Sequence, residues 1–373
     1  MHVLLDATAV PADRGGVGRY VDELVPELDT AELDLTLVVQ RRDVEHYRRL
    51  APRARVVAAP AWTARRPARL LWEQVGLPAL VRRIRPDVVH SPHYTMPLLT
   101  RTPVVVTLHD ATFFTTPELH LRSKAVFFRT AIRIAARRAA RLVVPSRATR
   151  DEVVRLVGAR PEKFTVAYHG VDHDLFRPTS VEEQTRVKES LGLSATTYVG
   201  FLGTLEPRKN VPALIQGWVA ACEDRADPPV LLLAGGRGWD ERIDAVIDEV
   251  PAHLTVRRTG FLPLEDLPAF LGGAVVVAYP SLGEGFGLPV LEAMACRAPV
   301  LTTRELSLPE VGGDAVAYCG TDAASIGREL AALLDDPERR ALLAEAGAER
   351  AAGFTWAVAA GLHAETYEAA SVR

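Results

Sequence analysis

The chain has 373 residues, 48% hydrophobic and 24% charged, with a formal net charge of −3 at pH 7. That length exceeds one ordinary core and suits two domains, and no run approaches the ~18 apolar residues that a membrane span requires. The three cysteines, Cys222, Cys296 and Cys319, have neither the even count of a disulfide framework nor metal-ligand spacing, and Met1-His2-Val3-Leu4-Leu5-Asp6 reads as a buried strand rather than an export signal, so a cytoplasmic setting is expected.

In chain order, short apolar β-rich runs alternate with longer amphipathic stretches, the pattern of strand–helix–strand units and parallel sheets. The front series is Val3–Leu5, Leu35–Val39, Val56–Ala58, Val88–His90, Val104–Leu108, Arg141–Val144 and Thr165–Val166. A polar stretch from Asp172 to about Glu189 containing Pro178 marks a linker. The second series is Tyr198–Leu202, Val230–Ala234, Thr255–Arg257, Val275–Tyr279 and Val300–Thr302, and a closing helix runs from Phe354 to Tyr367. The domains expected are therefore 1–177, 178–353 and a terminal helix, 354–373. Residues 1–177 carry 28 Lys/Arg against 19 Asp/Glu, and residues 178–373 carry 16 against 28, which suits the front half either to an anionic partner or to a merely solvated surface.

Ligands of open α/β sheets sit beyond the carboxyl ends of the strands, so His90, Ser91, His109, Asp110, Ser146 and His169 point to one crevice. Arg14-Gly15-Gly16-Val17-Gly18-Arg19-Tyr20 follows the first strand and opens a helix, where glycine lets backbone approach a ligand, although the spacing is not that of a dinucleotide fingerprint. Gly203-Thr204-Leu205-Glu206-Pro207-Arg208-Lys209-Asn210 sets two cations side by side, suited to the charge that develops on a departing diphosphate. In Tyr279 to Ala295 a strand ends, a glycine-bearing loop follows and Pro289 starts a helix. Gly285, Phe286, Gly287 and Leu288 then offer free amides at a positive helix end, flanked by the carboxylates of Glu284 and Glu292.

Together these motifs, with His109-Asp110 and Phe354-Thr355-Trp356, resemble the retaining family 4 glycosyltransferases over nearly the whole length, with mannosyltransferase-like forms of the glycine and Arg-Lys motifs. The resemblance implies the GT-B fold: two Rossmann-like domains facing across a cleft, the front one binding acceptor and the second the nucleotide sugar, and a terminal helix crossing back. It implies that Gly16 contacts the diphosphate, that His109 lies beside the donor sugar, and that Arg208 and Lys209 hold the diphosphate. It puts Glu284 and the amides of Phe286, Gly287 and Leu288 on sugar and phosphates, Glu292 on the ribose, and Gly260-Phe261-Leu262 against the base. Arg297, where the family usually has glycine, and Leu282-Gly283, where an aromatic or acidic residue is more frequent, depart from the pattern.

The expected reaction is transfer of a hexose, GDP-mannose being the first choice of donor, to a glycan, lipid-linked or small acceptor, with no metal or other cofactor. His90, His93 and Asp110 are the candidate acceptor contacts. Asp172-His173-Asp174 falls in the linker and His90-x-x-His93 has no third ligand in reach, so both read as non-metal sites. Arg129, Arg133, Arg137 and Arg141 recur every four residues, a basic helix face suited to solvent or to an anionic membrane, and nucleic acid is not expected. The alternatives are a nucleotide-sugar epimerase of the same fold and a non-catalytic nucleotide-sugar-binding subunit.

Overall fold

In the computed structural model, residues 1–12, 14–115, 122–193 and 196–372 are described. Two compact units result: Met1–Gly170 together with Thr355–Arg373, and Val171–Phe354. The division falls after Gly170, earlier than the expected 177. Its reason is local, since the amide of Val171 already donates to the carbonyl of Phe354 (3.1 Å) and so belongs to the second unit.

The first unit holds a seven-stranded sheet of β1 (His2–Asp6), β2 (Asp34–Val39), β3 (Arg55–Ala58), β4 (Val88–Ser91), β5 (Val104–Thr107), β6 (Arg141–Val144) and β7 (Phe164–Val166). They lie in the order β3-β2-β1-β4-β5-β6-β7, every pairing parallel. Parallel sheets are covered on both faces, which is why these strands read as unbroken apolar runs. Leu4, Val89, Val106 and Val144 pack on one face, and Val3, Leu5, Val105 and Val143 on the other.

The terminal helix, Trp356–Ser371, belongs to this second face. Thr355 caps it by accepting from the amide of Val358 (3.2 Å), and Trp356, Ala359, Ala360, His363, Tyr367 and Ala370, at helical spacing, are buried. Trp356 and Tyr367 join the core that contains Val3 and Leu5. Gly170 is the close-approach point, because a Cβ there would meet the backbone nitrogen of Trp356 at 2.2 Å.

The second unit holds β8 (Tyr198–Leu202), β9 (Val230–Ala234), β10 (Val256–Gly260), β11 (Val276–Tyr279), β12 (Val300–Thr303) and β13 (Ala317–Cys319). The order is β10-β9-β8-β11-β12-β13, again wholly parallel. β13 went unread in the sequence. Among the described residues no helix is long and apolar enough to cross a membrane.

Candidate active site

The sheet order of the second unit puts β8 beside β11, where the direction of strand addition reverses. That is the switch point at which doubly wound sheets open a crevice beyond their carboxyl ends. The loops leaving these two strands carry Arg208 and Lys209 on one side and Glu284 on the other.

The β8 loop ends in a 3₁₀ turn, Pro207–Lys209, and Asn210, in the left-handed region (φ 58°), opens helix Val211–Cys222. Glu284 is 7% exposed and sits under both cations. Its Oε1 accepts from Lys209 Nζ (2.7 Å), the Tyr279 hydroxyl (2.9 Å) and the Ser281 hydroxyl (2.6 Å), and its Oε2 accepts from Arg208. Arg208 also donates to the Gly283 carbonyl (2.8 Å) and to Glu206 (2.7 Å). Burial alone raises the Glu284 carboxyl, but Arg208, Lys209 and their hydrogen bonds outweigh it and bring it down to about 2. Lys209 is lowered by burial and by Arg208, with Glu284 and Glu206 opposing. Tyr279 is raised well above its ordinary value by burial and by Glu284.

Sequence reading put Glu284 on the sugar. In the structure its oxygens accept from four donors, the two cations among them, so it also fixes Arg208 and Lys209 in place. Tyr279, Ser281 and Ser307 complete this arrangement and were not singled out. The Ser307 hydroxyl lies 2.8 Å from the Glu284 carbonyl and 2.7 Å from that of Phe286, which ties the loop down. The only signal for Ser281 was its place three residues before the glutamate.

Gly285, Phe286 and Gly287 are buried, and Gly287 begins helix Leu288–Ala295 from a left-handed conformation (φ 111°). A side chain there would also put its Cβ 2.9 Å from the Leu308 Cδ2, so the conformation favours glycine and a larger residue would push that leucine aside. Glu292 lies inside this helix, 1% exposed, and together with burial it pushes the Cys296 thiol up. Arg297 adopts φ 56°, a conformation glycine takes without cost, which accounts for the glycine usual at this position and leaves the arginine here without a structural explanation. Gly260 ends β10 at φ 72°, Leu262 is half-buried, and Phe261, 72% exposed, lies against Gly236, whose Cβ would come within 3.0 Å of its ring.

In the first unit, His109 lies two residues past β5 and donates through Nε2 to the Pro92 carbonyl (2.7 Å). Burial lowers its pKa, with that hydrogen bond and Asp110 opposing. Its Nδ1 is therefore the lone-pair nitrogen of a neutral ring. Gly16 is the first residue of helix Gly16–Thr30, exposed, with nothing within 4 Å of a Cβ.

The acceptor candidates divide. His93 is half-buried, its ring 6.1 Å from that of His109. Asp110 Oδ1 accepts from the amide (3.2 Å) and hydroxyl (3.0 Å) of Thr112, a turn-forming role. His90 is fully buried with both ring nitrogens engaged, by Thr107 (2.8 Å) and Tyr367 (2.9 Å), so it is a core residue and not a surface contact. The basic face is also shorter than its spacing implied. Helix Arg122–Arg138 stops before Arg141, which opens β6 and donates to the Glu162 carbonyl (2.6 Å). Arg129 is held by the Phe113 carbonyl (2.6 Å), and Arg133 and Arg137 are exposed. Asp172 uses its carboxylate on the amides of Asp174 (2.9 Å) and Leu175 (3.2 Å). No group of three potential metal ligands occurs among the described residues.

Two doubly wound units with a buried carboxylate clamping paired cations at a switch point define a class, and comparison specifies it. Residues 14–175 match the family model Glycosyltransferase Family 4, and residues 183–350 match Glycosyl transferases group 1. The chain is 31% identical over 378 residues to O-antigen chain mannosyltransferase B of Escherichia coli, covering 95% of this chain and 96% of that one. It belongs to glycosyltransferase family 4. A D-inositol 3-phosphate glycosyltransferase of Salinispora tropica is 33% identical over 58% of this chain and 48% of its own length. Among solved structures, Anabaena HepE with UDP-glucose superposes with a TM-score of 0.77 at 20% identity, covering 99% of each chain. Sucrose-phosphate synthase from Thermosynechococcus elongatus gives 0.79 at 19% identity, covering 99% of this chain and 98% of that one. The fold is GT-B, and the protein is a glycosyltransferase.

Proposed function

We propose that the enzyme moves a hexose from a nucleotide-diphosphate sugar to an acceptor hydroxyl with retention of configuration and without a metal ion, GDP-mannose being the first donor to try. The observation that carries this reading is the Arg208–Lys209 pair held at the switch point by a buried carboxylate. Two fixed cations there neutralise a diphosphate leaving group electrostatically, without the reorganisation that mobile side chains would need. The E. coli relative named for mannosyl transfer and the HepE structure with UDP-glucose support a nucleotide-sugar donor.

In this reading the acceptor oxygen bonds to the anomeric carbon from the face the diphosphate leaves. The bond from that carbon to the phosphate oxygen breaks, and the same oxygen takes the acceptor proton. Glu284 aims Arg208 and Lys209 at the phosphates. The amides of Phe286, Gly287 and Leu288 and that of Gly16 add donors for phosphate or sugar, Glu292 takes the ribose, and Phe261 stacks on the base. Neutral His109 presents Nδ1 to a sugar hydroxyl. Exposed Arg133 and Arg137 would meet an anionic acceptor or a membrane surface. Family membership favours transfer over the epimerase and the non-catalytic subunit.

A thermal-shift series with GDP-mannose, UDP-glucose, UDP-N-acetylglucosamine and ADP-glucose, with and without magnesium, tests the donor reading. One sugar nucleotide should raise Tm equally with and without magnesium. No shift from any of them, or a shift only with magnesium, would sink it.

A further inference from the structure

The first unit contains a buried hydrogen-bond relay that begins and ends on the terminal helix. Tyr367 is hydrogen-bonded to His90 Nδ1 (2.9 Å), His90 Nε2 to Thr107 Oγ1 (2.8 Å), and Thr107 Oγ1 to the Tyr20 hydroxyl (3.0 Å). The Tyr20 hydroxyl meets His363 Nε2 (2.7 Å), and His363 Nδ1 meets the carbonyl of Ala359 (2.7 Å).

One end fixes every proton. A carbonyl only accepts, so His363 Nδ1 donates to Ala359 and its Nε2, in a neutral ring, accepts from the Tyr20 O–H. Tyr20 oxygen then accepts from Thr107, Thr107 from His90 Nε2–H, and His90 Nδ1 from the Tyr367 O–H. Both imidazoles are neutral, since burial lowers His90 well below its ordinary value and His363 to about 4. Such a closed set allows a single orientation of the Tyr20 phenol.

The Tyr20 ring edge packs on His109, with centroids 4.9 Å apart and planes at 80°, while Pro92 holds the far nitrogen of that imidazole. We propose that Tyr20, oriented by this relay from the terminal helix, is a positioning residue that sets the imidazole plane of His109. The proposal rests on the assignment of His109 to the donor sugar.

The test combines the His109 ring signals with a double-mutant cycle. Tyr20→Phe keeps the ring and removes the hydroxyl that holds it. Nucleotide release is followed with GDP-mannose and UDP-glucose as donors and water as acceptor, and long-range ¹H–¹⁵N spectra report the His109 nitrogens. Tyr20→Phe should move the His109 resonances and lower kcat about tenfold, with KM within about twofold, as expected for misplacement rather than lost binding. His363→Gln, whose amide oxygen still accepts from Tyr20, should stay near wild type, and His363→Leu should behave like Tyr20→Phe. In a His109→Ala background, Tyr20→Phe should have no further effect.

Unmoved His109 signals, or an equal loss in both backgrounds, would overturn the positioning role and leave the donor reading intact. Undiminished release by His109→Ala would instead overturn the assignment of His109 and this proposal with it, whatever the ring signals of Tyr20→Phe show.

Discussion

Glu284 accepts from Lys209, Tyr279, Ser281 and Arg208 at once, so its replacement removes four hydrogen bonds rather than one. Removing one partner of a buried ion pair costs about 3–5 kcal/mol, and Glu284→Ala should lower stability by that order, read as the shift in urea midpoint. Glu284→Gln keeps the shape but turns an amide NH₂ towards a cation, and should lower turnover while leaving most of the fold. An unchanged midpoint in both variants would mean that the clamp contributes nothing. Acid should act in two stages. His363, about 4 in the fold against ~6.5 unfolded, binds its proton first in the unfolded chain, so stability falls as pH drops from about 6.5 towards 4. His90, His93 and His169, lowered by burial, act in the same direction. Glu284, about 2 in the fold, contributes stability above the ordinary carboxyl range near ~4.3 and loses it as pH falls towards 2. Asp6 and Glu73, raised chiefly by burial, act the other way. Unfolding midpoints should therefore fall from pH 7 to 3 by less than the histidines and Glu284 alone would give, and a midpoint that rises steadily over that range would contradict the histidine burial. Arg297→Gly should raise stability by up to about 1 kcal/mol, because the left-handed backbone suits glycine and the pairing with Glu345 that is lost is exposed.

At the scale of elements, most strands were legible because burial on both faces leaves an apolar run that no helix period explains, whereas the edge strand β10, with exposed Arg257 and Arg258, was read with shifted bounds. Twelve of the runs read from sequence correspond to β1 to β12, and the exception is instructive. β13 is three residues, Ala317–Cys319, too short for any pattern, and it exists because β12 offers a free edge. The Arg129-to-Arg141 series failed for the converse reason: a four-residue repeat fits a helix, but charge spacing says nothing about where a helix stops. His90 shows the limit for side chains. Its place at a strand end was readable, but the inward turn of the ring depends on Tyr367, far away in sequence. The donor-site loops were legible because their glycines and charges stand at strand ends, where backbone geometry dictates residue type. The hydroxyls that tie those loops, Ser281 and Ser307, were not, because serine suits any turn.

For the whole molecule, the two units differ in how they are assembled from the chain. The second is continuous, Val171–Phe354, and expressed alone it should unfold cooperatively and retain the Glu284 clamp. The first needs both ends of the described chain. Residues 1–170 without the terminal helix expose the core that Trp356, Ala359 and Tyr367 cover, where each large side chain contributes roughly 1.5–3 kcal/mol. That fragment should lose cooperative melting by near-ultraviolet circular dichroism, and regain it when 355–373 is supplied by a short linker. A sharp transition in the fragment alone would refute this.

The same arrangement orders events on the ribosome. Domains generally fold as they emerge, N-terminal first. Here the leading sheet leaves the exit tunnel without the helix that seals one of its faces, and the entire second unit is made before that helix appears. The nascent leading half must wait, its tryptophan-binding face open, as the trailing half folds to completion. The segment made after the second unit is thus the one that finishes the structure begun before it, and a chain stalled before Trp356 would present a holdase with that uncovered surface.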